Sequence, residues 1–114
     1  MGKGWHIRKE GGTLMLFRHA PPRFDISASA AFPVVHPLTL AHQIRQDLWR
    51  LLQTVRGFSP VIQVSEASDA LHVQAGGRAL PPIGRHLEIQ IAELLSSDRH
   101  RTRWLRFAER RAWV

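Results

Sequence analysis

The chain has no cysteine. That one absence removes disulfides, thiolate nucleophiles, cysteine-ligated zinc and iron–sulfur clusters. Lysine is almost missing as well. Of the 16 basic residues only Lys3 and Lys9 are lysines, and the rest are arginine. Uninterrupted apolar runs fall far short of the roughly 20 residues that a membrane-spanning helix needs. The opening stretch, MGKGWHIRKEGG, is charged and glycine-rich and has no apolar signal core behind it. His6 stands where a myristoylation motif requires Ser or Thr. A cytoplasmic protein with no membrane partner is the expectation.

Catalytic and metal motifs are also absent. The seven histidines include no HxH or HxxxH pair that would place two ligands on one strand or helix face. No serine lies in a GxSxG elbow, and Gly76-Gly77 is not followed by the Lys-Ser/Thr of a P-loop. Glu88 and Glu93, five apart, do not share a helix face. These observations point away from an enzyme, and no cofactor or metal is expected.

What is present is a folding pattern and an uneven charge. At 114 residues with 44% hydrophobic content, the chain is long enough for one domain with a real core. Residues 1–12 hold four glycines and read as a mobile basic arm with Trp5 as its one sticky group. Thr13–Arg18 is apolar and of strand length. Phe24, Ile26 and Ala28 alternate with Asp25, Ser27 and Ser29 as a half-buried strand does. The two could form a hairpin across Pro21-Pro22.

Leu40, Ala41, Ile44, Leu48, Leu51, Leu52 and Val55 form one stripe and predict a helix over 38–56, with Gly57 and Pro60 ending it. Pro60–Ser65 and Ala70–Ala75 flank the polar turn Glu66–Asp69 and predict a second hairpin, which Gly76-Gly77 ends. Residues 84–96 read as a helix through Leu87, Ile91, Leu94 and Leu95. Leu87, Ile89 and Ile91 also alternate as in a strand, and on a helix Ile89 would point away from the stripe. Ser96, Ser97 and Asp98 offer caps for a last helix over 98–112.

The expected architecture is a small α+β domain over 13–114 in ββα-ββα-α order. A four-stranded, mostly antiparallel sheet would carry its helices on one face. The likeness of the halves would fit a tandem ββα duplication.

The net charge of +7 is not spread evenly. Residues 1–37 carry five basic and two acidic groups, 38–98 five and six, and 99–114 six and one. On a helix, Arg99, Arg103, Arg106 and Arg110 fall within about 60° of one another, a ladder roughly 16 Å long. Trp104, Leu105, Ala108 and Ala112 fall on the other side. Arginines so aligned suit phosphate contacts that position a polyanion without reading its sequence. The competing explanation is the codon usage of a GC-rich genome, which also suggests a bacterial source.

The leading expectation is a non-enzymatic binding module whose anionic partner, most of all nucleic acid, meets this last helix. An acidic protein is the other candidate for that helix. The alternative is a protein-interaction or assembly component, a homodimer being one form of it, using an open sheet face, Trp49, Ile89 or Trp113. Trp49 flanks the first helix's stripe and is expected to cover the core edge.

Overall fold

A computed structural model describes the backbone of residues 4–112 and the side chains through residue 109. Its elements are β1 (His6–Glu10), β2 (Thr13–Phe17), β3 (Ile26–Phe32), α1 (Pro37–Leu52), β4 (Ser59–Glu66), β5 (Leu71–Arg78), α2 (His86–Ser96) and α3 (Asp98–Ala112). The five strands form one antiparallel sheet in the order β1-β2-β4-β5-β3.

This confirms the α+β class with three helices and corrects its details. Among the described residues there are five strands rather than four, because His6–Glu10, read as part of the arm, pairs with β2 from His6↔Phe17 to Glu10↔Thr13. The order is βββα-ββαα, so the halves do not repeat. β2 and β3 do not form a hairpin across the prolines. β2 pairs with β4, and β3 crosses to the far side of the sheet to pair with β5.

The register explains which face is buried. Leu14↔Val64, Val64↔Val73 and Val73↔Ala30 make one inward row, and Leu16↔Ile62, Ile62↔Ala75 and Ala75↔Ala28 make the next. All of these belong to or pack against the core. The outward row between them is Met15, Gln63, Gln74 and Ser29. Strands alternate faces with period two, so the polar row leaves the second face to solvent.

The helices cover the inward face. α1 lies over β4, β2 and β5, and α2 lies over β3. α3 packs on α1 and α2 and reaches the sheet through side chains. Its Trp104 is fully buried and meets Phe32 with ring centroids 6.3 Å apart. The radius of gyration is 13.4 Å, close to the roughly 13 Å of one compact body of this length.

Local chemistry sets the element ends. His36 caps α1, its Nδ1 accepting from the Thr39 N–H at 3.2 Å, and Pro37 opens the helix with its φ already suitable. α1 stops at Leu52, one turn before the expected 56. Val55 and Phe58 instead donate to Leu52 and Val55 in successive three-residue turns. β-branched Thr54 and Val55, followed by Gly57 at φ +70°, make that turn cheaper than more helix.

β5 runs through Gly76-Gly77 instead of ending there. The pair is needed for close approach. A Cβ on Gly76 would lie 1.9 Å from the Ile26 carbonyl oxygen, and one on Gly77 2.0 Å from that of Ser59. The ambiguous 84–96 segment is helical, with Leu87, Ile91 and Leu95 buried.

The β3 edge of the sheet is closed by side chains. Glu88 of α2 accepts from the Ser27 N–H at 2.8 Å, and Arg101 of α3 donates to the Ala31 carbonyl at 2.9 Å. The other edge, β1, carries Arg8, Lys9 and Glu10 and is exposed along its length. Charge on an open edge discourages strand addition.

Candidate nucleic-acid interface and a basic aromatic cleft

Ser97 caps α3, its Oγ accepting from the His100 N–H at 3.4 Å. From that start the helix turns Trp104 and Ala108 into the core and leaves Arg99, Arg103 and Arg106 exposed on one side. These three, with Thr102 and Asp98, line one open recess. Arg110 continues α3, but its side chain lies outside the described residues, as does the whole of Trp113.

The three arginines are not equivalent. Arg103 is ion-paired with Asp47 of α1. Asp47 is 7% exposed and also accepts from Trp104 Nε1 at 2.7 Å and from Arg50 at 3.3 Å. Burial pushes the Asp47 pKa up, but the Trp104 hydrogen bond and the Arg103 hydrogen bond and charge outweigh it and hold it below the ordinary carboxylate value. Asp47 therefore joins α1 to α3 as an anion. Arg99 and Arg106 make no side-chain hydrogen bond or ion pair among the described residues. Among the described residues the ladder thus has two unpaired guanidiniums and a third, 54% exposed, shared between the body and solvent.

Arg101, on the same helix, is a packing residue. It donates to the Leu95 and Ala31 carbonyls at 3.0 and 2.9 Å and lies 4.0 Å over the Phe32 ring. Of the other expected contact residues, Ile89 is 60% exposed on α2 and Trp49 is 43% exposed on α1. Trp49 covers the core edge with one side only, stacking on Phe58 at 6.2 Å and 15°.

Trp49 also belongs to a feature that sequence reasoning missed. Trp5, Arg18, Arg45, Trp49, Phe58 and His19 line a cleft of about 400 Å³ between Trp5, the end of β2, the start of β4 and α1. Trp5 packs on the core, and two guanidiniums lie over its ring, Arg45 at 4.7 Å and Arg18 at 5.5 Å. Arg45 Nε donates to His42 Nδ1 at 3.3 Å. Burial, and then Arg45, hold the His42 pKa below its ordinary value, which keeps the ring a neutral acceptor. Burial, and then Arg18, likewise lower Arg45. The spacing of Arg45 and Trp49, four apart on one helix face, was the available signal. Their partners Trp5 and Arg18 come from distant segments that only the fold unites.

Two Ser–His contacts occur among the described residues. His19 Nδ1 lies 2.9 Å from Ser59 Oγ, and His100 Nδ1 lies 2.7 Å from Ser97 Oγ. The second belongs to the α3 cap. Neither histidine has a carboxylate hydrogen-bonded to it as the third member of a triad among the described residues. No group of three or more His, Asp or Glu is placed to hold a metal, and no helix is long and apolar enough to cross a membrane, among the same residues. The chain matches no protein-family model, no curated protein and no solved structure.

Proposed function

We propose that the protein is a non-enzymatic binding module whose anionic partner is nucleic acid, met by the outer face of α3. The observation that carries this reading is the pair Arg99 and Arg106. They project from a well-anchored helix with no carboxylate bonded to them among the described residues. Helix α3 is fixed to the body by Trp104, Asp47 and Arg101, so its arginines are presented on a rigid support. Guanidiniums in that position track phosphates without selecting bases. Arg103 joins them through its exposed half. A bacterial, cytoplasmic setting belongs to this reading and rests on composition.

The test is fluorescence anisotropy with a labelled mixed-sequence DNA duplex at low salt. Arg99→Glu with Arg106→Glu should weaken binding at least tenfold. Arg56→Glu with Arg85→Glu, which changes net charge equally at exposed sites elsewhere, should weaken it far less. Equal losses in the two variants would reduce the effect to net charge and remove α3 as the interface.

A second reading, an assembly component, has Ile89 in its favour, 60% exposed on the outer side of α2. A dimer seen by light scattering and abolished by Ile89→Asp, with no duplex binding at low salt, would favour it.

A further inference from the structure

The cleft beside α1 combines features that packing alone does not require. Among the described residues its lining holds two arginines and no acidic residue. Both guanidiniums crowd one ring, that of Trp5. A cation is attracted to an aromatic face, but two cations beside one ring repel each other. An anion seated between them would offset that repulsion.

The lining is also aromatic, with Trp49 one turn after Arg45 on α1. Trp49 has one face against Phe58 and is 43% exposed, so a ring surface remains open to a planar ligand. The volume of about 400 Å³ lies within the roughly 300–1,000 Å³ of small-molecule sites. An anion alone would need the arginines and not the indole. A planar apolar ligand would need the indole and not the arginines. The pairing fits a ligand with both parts.

We propose that this cleft binds a nucleotide, its base stacked on Trp49 and its phosphate held between Arg18 and Arg45. His42, accepting from Arg45, positions that guanidinium. The same chemistry is offered by a free nucleoside monophosphate and by one nucleotide of a single strand. This site is separate from the arginines of α3, and the inference does not rest on the duplex-binding reading.

The experiment is isothermal titration of the full chain with AMP, inorganic phosphate and the octanucleotide dA8. AMP is expected to bind at least tenfold more tightly than phosphate, because its base stacks on an indole that phosphate cannot use. Arg45→Ala and Trp49→Ala should each weaken AMP about tenfold or more, with circular dichroism confirming the fold. Trp49→Phe, which keeps a ring, should restore most of the loss. Arg99→Glu with Arg106→Glu should leave AMP binding unchanged, which separates this site from α3. If dA8 binds more tightly than AMP and loses affinity in the same two cleft variants, the source is a single strand. If the two bind equally, the source is the free nucleotide. No AMP binding at millimolar concentration, phosphate binding as tight as AMP, or AMP binding indifferent to both cleft variants would each overturn the proposal.

Discussion

Asp47→Ala removes the α1 side chain that holds Trp104 and Arg103 of α3, and its cost can be worked from the partners it leaves. Trp104 is fully buried, and its Nε1–H donates to Asp47 at 2.7 Å. Losing that acceptor strands a buried donor, at about 1–3 kcal/mol. Arg103 is 54% exposed and Arg50 69%, so solvent replaces their ion pairs at about 0–1 kcal/mol together. The variant is also relieved of burying a carboxylate, which subtracts from the total. The expected net loss is about 1–3 kcal/mol, or roughly 4–12 °C in Tm for a domain of this size.

Guanidinium denaturation followed by far-ultraviolet circular dichroism measures it. Asp47→Asn keeps an acceptor for Trp104 and should lose about half as much, and Arg103→Ala under about 1 kcal/mol. A loss below about 0.5 kcal/mol for Asp47→Ala would refute the reasoning. So would Arg103→Ala costing as much as Asp47→Ala, which would place the weight on the ion pair instead of the indole.

Gly76→Ala would set a methyl 1.9 Å from the Ile26 carbonyl oxygen, and should cost about 3 kcal/mol or more in the same denaturation experiment. Arg101→Ala frees the Leu95 and Ala31 carbonyls and uncovers Phe32. It should cost about 1–2 kcal/mol and speed amide hydrogen exchange at the β3 edge. Stability should fall in acid, and the sign follows from lowered carboxylate pKa values. The Arg23 and Ala79 hydrogen bonds depress Asp25, and the Trp104 and Arg103 contacts leave Asp47 depressed despite its burial. Their stabilisation is complete above the unfolded value near 4 and is lost as pH falls through the folded values below it. Denaturation midpoints measured from pH 6 to pH 2 should show the decline, and in Asp47→Asn it should be smaller.

Contiguous patterns in the chain were legible where one segment decided its own fate. The α1 stripe from Leu40 to Leu52, apart from the exposed Leu51, the β4–β5 hairpin and the Trp104 and Ala108 face of α3 all follow from periodicity within about 15 residues, and each is found. The failures share a cause. β1 looked like an arm because HIRKE has no apolar face of its own, and it becomes a strand by pairing with β2. Gly76-Gly77 looked like a terminator, because a glycine that admits a neighbouring backbone and one that ends a strand are the same in sequence. Asp47 sat unremarked on α1 until α3 brought Trp104 and Arg103 to it. The arginine ladder was legible as an alignment, but not the capture of its second rung. The cleft was not legible at all, since Trp5, Arg18 and Arg45 meet only after β1, β2 and α1 have packed.

The central claim is that α3 makes phosphate contacts, and the salt dependence of duplex binding tests it most directly. Each phosphate neutralised on a duplex adds roughly 0.9 to the slope of log K against log salt. Removing Arg99 and Arg106 together should therefore reduce the magnitude of that slope by about 1.8, while the Arg56/Arg85 control leaves it nearly unchanged. A slope that is the same with and without Arg99 and Arg106, or no binding by the native chain at low salt, would contradict the account.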